Sequence, residues 1–204
     1  MKFAIIGATG NVGRKTIDIL EKSKLDIDQL FLVASKKSSG KKIKYKGEDL
    51  TVEDLENYNF EKADITFFAA GSSIAEKYGK NASKKTIIID NSKYFRMDKD
   101  VPLIVPEVNP DDIKKHKNII ANPNCSTIQM VLALKPLHKK FIIKRIVVST
   151  YQAVSGAGKA AMDELVSQTR DFLDKKKIKS KNFTKQIAFN LIPHIDVFVK
   201  DGYT

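Results

Sequence analysis

Short apolar blocks alternate along this chain with stretches of helical spacing. Phe3-Ala4-Ile5-Ile6 is a block of strand length. It runs into Gly7-Ala8-Thr9-Gly10-Asn11-Val12-Gly13, and residues 14–21 then carry apolar side chains at helical intervals. Leu30–Ala34 reads as a second strand, and residues 44–58 as a small strand or hairpin followed by an acidic turn. Ala63–Ala70 is a buried strand ending in Gly71-Ser72-Ser73, with a helix over Ile74–Ser83. Thr86–Asp90 is the next strand and ends in Asn91-Ser92. Asn118–Ala121 is another, broken by Asn122-Pro123-Asn124. A helix-length apolar pattern follows Cys125, with Ser126 or Thr127 available as its cap. Residues 144–154 read as a long strand, Lys159 to about Asp174 as a helix, and Ile187–Asp196 as a further apolar segment.

Strands that alternate with helices predict an α/β fold with a mostly parallel sheet. In such sheets ligands bind at the carboxyl ends of the strands. That places Gly71, Ser72, Asn91, Asn124 and Cys125 on one edge. Strand, glycine loop and helix at 2–21 form the pattern of a Rossmann-type dinucleotide-binding unit. Gly7 permits the tight turn, Gly10 lets the backbone approach a pyrophosphate, and Gly13 allows close helix packing. The helix N-terminus then faces the phosphates. A site for NAD would put an acidic residue after the second strand; here Ser35-Lys36-Lys37-Ser38 follow it. Hydroxyls and ammonium groups suit a 2′-phosphate and favour NADP, although a lysine-rich surface loop has the same composition.

Cys125 is the only cysteine in 204 residues. A lone cysteine is often a small buried hydrophobe. This one stands where a turn enters a helix, and the backbone N–H groups and helix dipole there favour the thiolate. The residues thus point to a nucleophile. Arg96 is the one arginine between positions 14 and 145 in a chain whose other cations there are lysines. It is either a planar, bidentate anion ligand or a surface cation. Gln152 offers a neutral hydrogen-bonding group before a second glycine turn, Ser155-Gly156-Ala157-Gly158.

Composition narrows the setting. The net charge of +12 comes from scattered lysine and argues against a nucleic-acid interface while still drawing anionic small molecules. A single cysteine rules out an internal disulfide and fits a reducing cytoplasm. No apolar run is long enough for a bilayer, and no signal-peptide pattern is present. No metal site is expected. His116 and His138 read as surface residues and His194 as structural.

Seven segments then come in a telling order: GATGNVG at 7–13, FFAAGSS at 67–73, DNSKYFRM at 90–97, VPLIVPEVN at 101–109, NPNCST at 122–127, STYQAVSGAGKAAMDEL at 149–165 and AFNLIPHID at 188–196. Together they resemble the aspartate-semialdehyde dehydrogenase family over the whole chain. The resemblance implies an NADP-binding Rossmann-type domain at 1–126, and at 127–204 the first part of an α+β catalytic and dimerisation domain, truncated here. It implies reductive dephosphorylation of L-4-aspartyl phosphate by NADPH, giving L-aspartate 4-semialdehyde and phosphate. That step feeds lysine (through diaminopimelate), threonine, methionine and isoleucine. Cys125 would be the nucleophile, Arg96 the phosphoryl ligand, Asn124 a support beside the thiol, and Gln152 the group that orients substrate. Thr9, Gly10, Asn11, Val12, Lys37, Ser38, Ser72, Ser155 and Gly156 match cofactor contacts, and the full-length form would be a homodimer.

Members of the family are considerably longer. The family's catalytic histidine and its substrate-binding arginine and acidic residue have no counterpart here, so little turnover is expected of these 204 residues alone. One alternative is a non-catalytic NADP-binding fragment or pseudoenzyme. Another is an N-acetylglutamyl-phosphate reductase, but those enzymes usually carry glycine before the cysteine and tyrosine after it, where this chain has Asn124 and Ser126.

Overall fold

The computed structural model describes residues 1–195, 198 and 200. Asp196, the end of the last apolar segment, lies outside the described residues. The chain divides into two compact units, Met1–Thr150 and Tyr151–Thr204.

The first unit is built on a six-stranded sheet. Its strands are β1 (Lys2–Ile6), β2 (Gln29–Ala34), β5 (Glu53–Asp54), β6 (Ile65–Phe68), β7 (Ile87–Asp90) and β8 (Ile119–Ala121), in the order β5-β2-β1-β6-β7-β8. Every pairing in it is parallel. β3 (Lys42–Tyr45) and β4 (Glu48–Thr51) form a separate antiparallel hairpin, as the 44–58 pattern predicts. The helices are α1 (Asn11–Lys22), α2 (Ser72–Ala82) and α3 (Cys125–Phe141).

Side chains alternate across each strand, so a continuous apolar run serves two cores. Ala4 and Ile6 join Val33, Phe68, Ile88 and the α2 residues Ala75 and Ala82 on one face. Phe3 and Ile5 join Leu32, Ala34 and the α1 residues Ile17 and Leu20 on the other. This two-sided burial is why β1 shows no polar alternation. The sheet reverses its winding between β1 and β6, since β2 lies on one side of β1 and β6 on the other. Such a switch point opens a crevice at the carboxyl ends of the two strands.

One expected element is missing. Residues 142–153 belong to no strand, although the sequence pattern predicts one over 144–154. A strand persists only where a neighbour takes its N–H and C=O groups, and no described strand pairs with this stretch. Val147 and Tyr151 are 82% and 84% exposed.

The second unit contains α4 (Lys159–Leu173), close to the helix expected there. Two residues one turn apart on it, Glu164 and Gln168, are buried and organise the chain that follows. The Glu164 carboxylate accepts hydrogen bonds from the Lys181 and Asn182 backbone N–H groups, at 3.0 and 2.6 Å, and from the Gln168 amide at 2.9 Å. Gln168 in turn accepts from the N–H groups of Ile187 and Ala188, at 2.8 and 3.2 Å. Burial pushes the Glu164 carboxyl up, but the N–H groups of Lys181 and Asn182 outweigh it and hold the carboxyl below its usual range. Stabilisation of this kind is complete above the unfolded carboxylate range and is lost as pH falls through the lowered folded one. Acid should therefore release residues 181–188 from α4. Glu164→Gln turns one acceptor into a donor facing donors, and is expected to cut hydrogen-exchange protection at Lys181 and Asn182 by about tenfold or more at neutral pH. Unchanged protection would show that the carboxylate does not hold this segment.

Candidate active site

The glycine loop leaves β1 at the switch point. Gly7 lies at φ +88°, and a Cβ there would meet the Ala69 carbonyl oxygen at 2.7 Å. A Cβ on Gly13 would stand 2.2 Å from the Gly7 carbonyl oxygen and 2.8 Å from Ala8 Cα. The turn is tied by the Gly10 N–H to Gly7 C=O (2.9 Å) and by the Gly7 N–H to Val33 C=O (2.8 Å). Gly10, as N-cap of α1, offers no side chain to the first turn, which also contains no acidic residue. Gly71, the N-cap of α2 at the end of β6, is likewise without a side-chain cap. Both helix N-termini thus open beside the switch point with their dipoles unopposed, an arrangement suited to phosphate.

The end of β2 supplies the adjoining wall. Lys36–Ser38 form a short 3-10 turn with both lysines exposed. The Thr9 hydroxyl donates to Ser38 Oγ at 3.3 Å, so the glycine loop and this turn share one surface. That bond brings Thr9 and Ser38 together next to Lys37, and Ser35 occupies the N-cap position of the turn without a side-chain cap bond.

The Arg96 loop follows β7, and the Cys125 turn follows β8. Cys125 is exposed and is the first residue of α3. The N-cap is Asn124, one residue before the cysteine, whereas the sequence suggested Ser126 or Thr127 as caps. Asn124 Oδ1 accepts from the Ser126 N–H at 2.9 Å. This cap places the thiol within the first turn of a 17-residue helix.

Arg96 sits over the same turn. Its Nε donates to the Asn122 carbonyl at 2.9 Å and its Nη2 to the Asn91 carbonyl at 3.2 Å. The guanidinium is half-buried and presents five N–H donors in a rigid fork, of which these bonds use two. Its loop is fixed from below. Asp90 is fully buried and accepts from the Ser92 N–H (3.1 Å) and hydroxyl (2.7 Å). Burial pushes the Asp90 carboxyl up, and the Ser92 bonds and the Arg96 charge only partly offset it. Phe95, also buried, packs so closely on α2 that a Cβ on Gly79 would meet its ring at 2.7 Å. Sequence reasoning put no role on Asp90; its one signal is a carboxylate ending an otherwise apolar strand.

Gln152, Ser155 and Gly156 lie in the second unit, exposed, in or just before the 3-10 turn Val154–Ala157 that leads to α4. Among the described residues no cluster of three or more His, Cys, Asp or Glu side chains could hold a metal, and no helix is long and apolar enough to cross a membrane.

The profile of the semialdehyde dehydrogenase NAD binding domain matches residues 2–116, which contain the glycine loop, the switch point and Arg96. The chain belongs to the semialdehyde dehydrogenase family. The dimerisation domain of the same family matches residues 134–204. An aspartate-semialdehyde dehydrogenase of Aquifex aeolicus is 53% identical over 208 residues, covering all of this chain and 61% of that protein. One of Bacillus subtilis is 47% identical, covering 98% of this chain and 60% of its own length. Aspartate semialdehyde dehydrogenase II of Vibrio cholerae, solved as a complex with ASA, superposes with a TM-score of 0.96 at 45% identity, over all of this chain and 61% of that one. The Candida albicans enzyme solved with NADP gives 0.59 at 32% identity over 70% of this chain and 48% of its own. The chain spans about three-fifths of the length of these curated dehydrogenases.

Proposed function

We propose that this member of the family carries the NADP-binding and nucleophile-bearing part of an aspartate-semialdehyde dehydrogenase. The reaction is the reductive dephosphorylation of L-4-aspartyl phosphate to L-aspartate 4-semialdehyde, on the route to lysine, threonine, methionine and isoleucine. The observation that carries this reading is the exposed thiol at the first residue of α3, on the strand edge that also bears the Arg96 loop. In this reading residues 1–126 hold the dinucleotide, and 127–204 begin the catalytic part through which a homodimer forms.

The chemistry follows from the residues. Cys125 Sγ adds as thiolate to the acyl carbon. The carbon–oxygen bond to the phosphoryl group breaks, phosphate leaves, and a thioester remains on the enzyme. Arg96, with donors to spare beyond its two main-chain bonds, holds the phosphoryl oxygens and stabilises the leaving anion. The glycine loop would hold NADPH, which would supply a hydride equivalent to the thioester carbon, with the Cys125 thiolate released as the aldehyde forms. The loop suits such a group because the N-termini of α1 and α2 carry no side-chain cap and no acidic residue in their first turns, while Gly7 and Gly13 keep the turn tight against main chain. Asn11, Val12, Gly71 and Ser72 complete that wall. For Gln152 the family resemblance alone suggests a role in orienting substrate, and for Ser155 and Gly156 a role in cofactor contact.

NADP preference rests on Lys37, Ser38 and Thr9. Lys37→Glu is expected to weaken NADPH binding about tenfold, the loss of one ion pair and the gain of a repulsion, while NADH binding changes less than about twofold. Fluorescence titration with both cofactors measures this, and equal losses for the two would remove the 2′-phosphate assignment. The reaction itself is tested by NADP- and phosphate-dependent oxidation of L-aspartate 4-semialdehyde in a protein containing these residues. Oxidation of N-acetylglutamate semialdehyde in its place would transfer the chain to the other acyl-phosphate reductase.

A further inference from the structure

Three hydrogen bonds converge on Asn122, three residues before the thiol. Its N–H donates to the Asp90 carbonyl at 2.8 Å, continuing the β7–β8 ladder past the end of the strands. Its carbonyl accepts from Arg96 Nε at 2.9 Å. Its side-chain Nδ2 donates to Asn91 Oδ1 at 2.6 Å. Asn91 is itself anchored by its N–H on the Phe68 carbonyl at 3.0 Å, and its carbonyl receives Arg96 Nη2. The two asparagines therefore form a part-buried amide bridge between the turns after β7 and β8. Backbone bonds alone fix Asn122 within the plane of the sheet. The amide bridge and the Arg96 bond add a tie between side chains and loop, so the turn Asn122–Cys125 and the guanidinium are held by the same residue.

We infer that the Asn91–Asn122 amide pair is a positioning device that sets the Cys125 thiol against an anion held by Arg96. It rests on the reading of Arg96 as phosphoryl ligand and Cys125 as nucleophile. The two side chains bond each other, so their effect on the thiol runs through the turn. An amide pair suits this task better than a charged one. It is strong when part-buried and adds no net charge that would repel the phosphoryl group or perturb the thiolate. Truncating Asn91 leaves both main-chain carbonyls that Arg96 uses. Anion affinity and thiol placement are thus separable.

The sole cysteine makes the test direct. Alkylation of Cys125 by iodoacetamide is followed as a function of pH, with and without inorganic phosphate, and phosphate binding is titrated separately by calorimetry. In the unaltered chain phosphate at Arg96 stands beside the thiol and slows alkylation at neutral pH by about fivefold, by charge and by cover. Asn91→Ala should keep its phosphate affinity within about threefold yet lose most of that slowing, with the pH profile of alkylation in phosphate reverting to the phosphate-free one. Asn122→Ala removes the same bond from the other turn and must reproduce the result, so failure of one variant to fold leaves the other as the test. The double variant should lose no more than either single one, the signature of two residues acting through one bond. Full phosphate-dependent slowing in both single variants overturns the positioning role and leaves the Arg96 and Cys125 assignments standing. Arg96→Ala separates the two readings: if phosphate still slows alkylation in that variant, the anion site itself is misplaced and the inference falls with it.

Discussion

Gly13→Ala is expected to destabilise the first unit by about 3 kcal/mol or more and to abolish measurable dinucleotide binding. The added Cβ would lie 2.2 Å from the Gly7 carbonyl oxygen and 2.8 Å from Ala8 Cα. Both neighbours are backbone, so no side-chain rotation can absorb the overlap. Overpacking usually costs about 1–3 kcal/mol, and a clash with fixed main chain sits at or above the top of that range. Relief requires α1 to move off β1. That movement separates Ile17 and Leu20 from Phe3, Ile5 and Leu32, and it tilts the helix N-terminus away from the phosphates. A melting temperature lower by about 6 °C or more is the first readout, given the usual 2–4 °C per kcal/mol for a chain of this size. Cofactor titration is the second. A variant with unaltered melting and affinity would mean that the loop does not pack against the helix as described.

Cys125→Ser should reduce acyl transfer by about a thousandfold or more while leaving NADPH affinity within about twofold. A serine hydroxyl at the first residue of α3 keeps the size and the Asn124 cap, but it remains protonated near neutrality and is a far weaker nucleophile than a thiolate. Acetyl phosphate, the simplest acyl phosphate, offers a probe that needs no hydride step. The unaltered chain should gain one hydroxylamine-labile acyl group, detected by intact mass, and the serine variant none. Labelling that persists in the variant would place the nucleophile elsewhere.

Much of the first unit was legible because burial on both sheet faces leaves unmistakable apolar blocks. The strands at 2–6, 29–34, 65–68 and 87–90 all fall on such blocks. The glycine loop was legible because its demand is steric and local, and Cys125 because a turn and a helix start flank it. What escaped depends on partners distant in sequence. The run at 144–154 has the composition of a strand, but composition cannot supply a ladder partner. The cap of α3 was misplaced by two or three residues because Asn124, Ser126 and Thr127 are all good caps, and only the backbone chooses among them. The bond between Asn91 and Asn122 joins residues 31 apart, and two isolated asparagines carry no pattern that would pair them. Glu164 reads as an ordinary helix-surface carboxylate until residues 181 and 182 are seen folded back on it.

Residues 142–153, left outside every strand, have a consequence for handling the chain. Ile146, Val147 and Val148 are exposed at 49%, 82% and 58%, and all three are β-branched. An exposed β-branched run outside every described strand is a template for intermolecular strand addition. Concentrated solutions of these 204 residues should therefore grow turbid and bind thioflavin over time, and a lysine in place of Val147 should delay both.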